Sequence, residues 1–90
     1  MNAQDFALLS GLLKERSGLS LTAIDRILRS KNARAVVALA WKAGLTMALA
    51  VTLQTRIAEI PGAAVIKPSG SGGWPMADRD LESRLRLYTD

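Results

Sequence analysis

Ninety residues, with twelve Lys/Arg against eight Asp/Glu for a formal net charge of +4 and 49% apolar residues, suit one small domain or a piece of a larger protein. With no Cys and no His, disulfides, the common zinc, haem and iron–sulfur ligand sets, Cys nucleophiles and His acid–base chemistry are all absent, so no metal or cofactor is expected. The lack of Cys also fits a reducing, cytoplasmic setting.

The opening stretch, MNAQDFALLSGLL, has no basic region ahead of its apolar run and no small-residue cleavage pattern, so it does not read as a signal peptide. Apolar residues then recur at helical spacing. The spacing predicts a first helix over 4–16, with Phe6, Leu9 and Leu13 on one face. A second over 21–30 turns Ile24, Ile27 and Leu28 inward, and a third over 33–43 does so with Val36, Val37, Ala40 and Trp41. A fourth, over 47–60, places Leu49, Leu53, Ile57 and Ile60 on one stripe, and Pro61-Gly62 stops it because Pro cannot extend the hydrogen-bond ladder. Residues 35–53 hold a single charge, Lys42. Its position near the middle would cost about 3 kcal/mol in a bilayer, and Gly44-Leu45-Thr46 reads as a corner, so no membrane span is expected.

Residues 61–77 contain all three prolines and four of the seven glycines and read as a Gly/Pro/Ser-rich loop. Its GSGG lacks the Gly-Lys-Ser/Thr of a phosphate loop. A last helix over 79–88, N-capped by Asp78, aligns Leu81, Leu85 and Tyr88, while Trp74 and Met76 are expected to fold back over an edge of the bundle. Asp78, Asp80 and Glu82 sit at the start of that helix, where acids offset its dipole, so they are not read as catalytic.

An internal echo organises the chain. SGLSLTAIDRILR (17–29) and AGLTMALAVTLQTR (43–56) share small-Gly-Leu-Ser/Thr before a helix, twenty-six residues apart. Gly18 and Gly44 are expected to close one helix in the left-handed conformation, and Ser20 and Thr46 to cap the next. Leu19 with Ile24, and Leu45 with Ala50, take the spacing of a hydrophobic staple.

The first corner also fits a helix-turn-helix template at Gly18, Leu19, Ser20, Ile24 and Ile27, but the template's small-residue position falls on Lys14. The outward positions of its second helix are Ser20, Leu21, Thr22, Asp25, Arg26 and Arg29. Leu21 and Asp25 suit a polyanion poorly, whereas Arg26 and Arg29 suit phosphate or guanine contacts. Arg26, Arg29, Lys31 and Arg34 form a basic cluster that could meet an anion or nucleic acid, although a solvated face near a helix C-terminus, where the dipole favours cations, is the simpler reading. Trp41 and Trp74 are candidate partner anchors.

The segment LAWKAGLTMALAVTLQTRIAEIP (39–61) resembles the C-terminal region of a bacterial family named only as domain of unknown function 2336, and residues 5–40 are similar to the same family. Its members typically show a helix, a Gly-Leu corner and a Lys/Arg-flanked alanine-rich helix leading to a second Gly-Leu; residues 62–88 fit more loosely. The resemblance implies an all-α protein, with this chain a C-terminal piece of a longer one. The family has no assigned activity, so no catalytic residue carries over. Residues 6–22 also resemble the helical N-terminal domain of chemotaxis receptor methyltransferases, an echo that ends at Thr22.

The expectation is therefore an all-α bundle of about five helices, one domain overall. It comprises a four-helix core (1–60), the 61–77 loop and a C-terminal helix (78–90) packed on the core. Its expected role is a non-catalytic interaction or regulatory module with a protein partner and scope for homodimer formation. A helix-turn-helix DNA-binding domain using the 20–30 helix is the alternative.

Overall fold

A computed structural model describes residues 3–69 and 73–88, with side chains from residue 7 onward. Five α-helices follow in chain order: α1 (Ala3–Ser17), α2 (Leu21–Arg29), α3 (Ala33–Lys42), α4 (Met47–Thr52) and α5 (Asp78–Arg86). A π-helical turn, Leu53–Ile57, continues α4, and a short 3-10 turn, Gly62–Ala64, interrupts the loop that follows. Among the described residues there is no strand, and the fold is the expected all-α bundle of about five helices.

The helix α3 is the hub. Its sequence, ARAVVALAWK, is apolar on nearly every side, and a helix of that kind is stable only when surrounded. Ala35 to Ala40 are accordingly all buried, a wider run than the Val36, Val37, Ala40 and Trp41 expected, of which Trp41 is only half-buried, and α1, α2, α4 and α5 pack around them. The small alanines let neighbouring helices approach closely. Leu13 of α1, Ile24, Ile27 and Leu28 of α2, and Leu81 and Leu85 of α5 complete the core. The Cα radius of gyration, 12.0 Å, matches the value of about 12 Å for a compact chain of this length.

Both Gly-Leu corners form as expected, with Gly18 at φ 77° and Gly44 at φ 75°. The Ser20 and Thr46 hydroxyls accept from the N–H groups of Ala23 and Leu49. The second corner is a full Schellman motif: Gly44 N–H donates to Trp41 C=O and Leu45 N–H to Ala40 C=O. The first differs. Gly18 N–H donates to Lys14 C=O, and Leu19 N–H turns instead to the Ser17 hydroxyl at 3.1 Å. Ala43, the counterpart of Ser17, offers no hydroxyl, so Leu45 must reach back into the helix.

Three expectations are corrected. The fourth helix does not run to residue 60: it ends at Ile57, where Glu59 takes φ 54° and the N–H groups of Ala58 and Ile60 close onto the carbonyls of Leu53 and Gln54. Pro61 bars helix at Ile60 and could not donate to Ile57 C=O, and the left-handed Glu59 sets the break earlier still. Leu49 is not on the inner stripe. It is 47% exposed, while Met47, Ala50, Leu53 and Gln54 are buried: the inner face runs through Met47 and Ala50, and Leu49, two positions beyond Met47, falls on the opposite side of the helix turn. Asp78 is not the N-cap of α5. The Ala77 carbonyl accepts the first helical bond, from Leu81, and Asp78 and Asp80 occupy the first turn, where their charge still opposes the helix dipole. Phe6 lies outside the described side chains. Trp74 and Met76 do fold back against the core, and Tyr88 is half-buried there just past the end of α5.

Candidate functional site

The basic cluster is organised by the short turn between α2 and α3. Ser30 donates its hydroxyl to Ile27 C=O at 2.7 Å and accepts from Asn32 N–H, so it ends α2 and starts the reversal. Asn32 then caps α3 through its Oδ1, which accepts from Ala35 N–H. Between them Lys31 sits at φ 55°, a conformation a lysine adopts only when its neighbours enforce it. Ser-Lys-Asn thus presents the Lys31 side chain at the tip of a corner held by caps on both sides.

Arg26, Arg29, Lys31 and Arg34 are all exposed there. Arg29 is engaged: its Nε donates to Asp25 Oδ1 at 2.8 Å, four residues back on the same helix. Among the described residues, Arg26, Lys31 and Arg34 have no ion pair. Arg34 stands in the first turn of α3, where a cation opposes the positive helix end and where there is no acidic residue to offset it. The stability of the helix would favour an acid at this position.

Two open clefts meet the corner. One, of about 530 Å³, is lined by Lys31, Arg34, Asn32, Ala64 and Ile66 among others. The other, of about 570 Å³, is lined by Arg34, Met76, Asp80, Ser83, Arg84 and Leu87. Arg34 is common to both. The far wall of the first cleft is set by Gln54, a residue the sequence reading passed over. Its buried carboxamide donates to Ile66 C=O at 2.9 Å, accepts from Ile66 N–H at 2.7 Å, and also donates to Ala50 C=O. Position 54 falls on the inner stripe once that stripe is drawn from Met47 and Ala50. A glutamine there was the available sign that a loop backbone lies against α4.

The tryptophans are used internally. Trp41 and Trp74 are both half-buried against the core. Lys42, beside Trp41, pairs with Glu82 of α5 at 3.0 Å and lies 6.0 Å from the indole centroid, at the outer limit of a cation–π contact. This end of α3 is tied to α5 rather than left open. Asp78, Asp80 and Glu82 do not gather into a metal-ligand set among the described residues.

The helix-turn-helix reading can be weighed on the same geometry. Lys14, at the template's small-residue position, is exposed and does not hold α1 away from α2, so it is no steric objection to the motif. The distribution of charge on α2 raises a stronger one. A recognition helix addresses base edges with its N-terminal residues. Here the N-terminal outward residues are Ser20, Leu21 and Thr22, with Leu21 47% exposed, while the arginines stand at the C-terminal end next to Lys31 and Arg34. No described helix is long and apolar enough to cross a membrane. No family model, no curated protein and no solved structure matches this chain.

Proposed function

We propose that the chain is a non-catalytic helical interaction module that recognises a protein partner through the basic α2–α3 corner. The observation that carries this reading is the set of cations without an ion pair among the described residues: Lys31 on a turn capped from both sides, flanked by Arg26 in the last turn of α2 and Arg34 in the first turn of α3. The caps fix the backbone of the corner, so an acidic partner has to order only the side chains.

Affinity capture from the parent cell tests it. The wild-type protein and a Lys14→Gln, Arg56→Gln control should retain the same partner. A variant with Arg26, Arg29, Lys31 and Arg34 all changed to Gln should lose it. Equal capture by all three proteins would remove the corner from the function. DNA binding, the alternative, is supported by the exposed arginines of α2 and is checked by titrating a labelled duplex at about 50 mM salt. Duplex binding that disappears in Arg26→Ala with Arg29→Ala would reinstate it.

A further inference from the structure

We infer that the partner surface is bipartite, built around Arg34, and that it takes an acidic peptide segment carrying an apolar side chain beside its carboxylates. This rests on the interaction reading above and specifies the ligand for it.

The two clefts that share Arg34 differ in chemistry. Among the described residues, the first carries Lys31 and Arg34 and no acidic residue, against a wall of Ala64 and Ile66. It suits one or two carboxylates. Lys31 acts as a point charge, while the planar guanidinium of Arg34 can grip a carboxylate with two parallel hydrogen bonds. Nor is the Ile66 backbone available as a strand edge, because both its N–H and its C=O are held by Gln54. Recognition in this cleft therefore runs through side-chain charge rather than backbone pairing.

The second cleft adds Arg84 and Ser83 but also Asp80, with Met76 and Leu87 as apolar lining; Leu87 is 68% exposed. Asp80 repels a second run of carboxylates. Met76 and Leu87 offer apolar surface to an aliphatic side chain, and Arg34, Arg84 and Ser83 supply donors for a carboxylate or peptide carbonyl beside it. A uniformly anionic ligand uses only half of this surface; an acidic segment with one aliphatic residue uses all of it. Nucleic acid fits it less well. Apolar Met76 and Leu87 and anionic Asp80 line the second cleft, and neither cleft is lined by an aromatic ring on which a base could stack.

Fluorescence anisotropy with three labelled peptides of equal length decides the matter: all glutamate, glutamate with one central leucine, and lysine in place of glutamate. The leucine-bearing peptide should bind best, the all-glutamate peptide more weakly and the lysine peptide not at all. Arg34→Glu should weaken both acidic peptides by about tenfold or more, and Arg56→Glu by much less. Leu87→Ser should erase the preference for leucine while leaving the all-glutamate peptide unaffected. These side chains are exposed, so circular dichroism should show all three variants folded. Equal effects of Arg34→Glu and Arg56→Glu, or no preference for leucine, would overturn the inference, as would a single-stranded RNA or a duplex that binds more tightly than any peptide. Loss of partner capture in the four-Gln variant together with no leucine preference would overturn this inference while leaving the interaction reading in place.

Discussion

Gly18 and Gly44 show how much a single residue decides. Both sit at positive φ with nothing near the position of a Cβ, so the cost of adding one is conformational rather than steric. Gly18→Ala and Gly44→Ala should each destabilise the fold by about 1–2 kcal/mol in urea titration. Gly11 is the opposite case. It lies inside α1 with open space around it and no positive φ, so Gly11→Ala should stabilise by about 0.5–1 kcal/mol. A common sign for all three would contradict the assigned conformations. Gln54 is the other decisive residue. Gln54→Leu leaves the Ile66 N–H and C=O without their partner and should cost about 1–3 kcal/mol by the same titration. Because Ile66 also walls the Lys31–Arg34 cleft, the change should loosen that cleft as well.

At the scale of the element, caps and phase matter more than propensity. α2 has nine residues and α4 only six before its π turn, too short for either to persist alone in water. Their ends are specified by Ser20 and Thr46, and Thr46→Ala should lower stability by about 1 kcal/mol in thermal or urea unfolding. The caps were legible in the sequence because their bonds span only three residues. The phase of α4 was less so. Leu49, Leu53, Ile57 and Ile60 make a plausible stripe, yet Met47 and Ala50 face the core, which leaves Leu49 on the opposite side of the helix, facing outward. The stop at Ile57 followed from a rule available in advance, the avoidance of helix before Pro61, but its exact residue depended on Glu59 accepting φ 54°.

For the molecule as a whole, α3 decides how the parts assemble. Because every residue from Ala35 to Ala40 is buried, the bundle has no slack on any side of it, and Ala38→Leu should destabilise by about 1–3 kcal/mol through overpacking. Leu81→Ala, which removes the main anchor of α5 on α3, should cost about 2–5 kcal/mol in equilibrium unfolding. Glu82→Gln should change stability by no more than about 1 kcal/mol, since the Lys42–Glu82 pair is half-exposed and screened by water. The docking of α5 does more than add core: it brings Arg84 and Leu87 beside the cleft that also contains Arg34, fifty residues earlier in the chain.

The order of residues was sufficient for the existence of the five helices, the Ser20 and Thr46 caps and the two glycine corners. Each of these depends on hydrogen bonds across three to five residues or on the period of apolar side chains, and both are local quantities. It also marked Arg26, Arg29, Lys31 and Arg34 as a cluster, because they lie within nine positions. Tertiary packing decided what surrounds them: the Gln54 clamp on Ile66, the partial burial of Trp41 and Trp74 against the core, and the two clefts that share Arg34. The clamp and the clefts join residues twelve or more positions apart, and no local period or propensity encodes which distant segments will meet. Only the closure of α4, the loop and α5 around α3 brings them together.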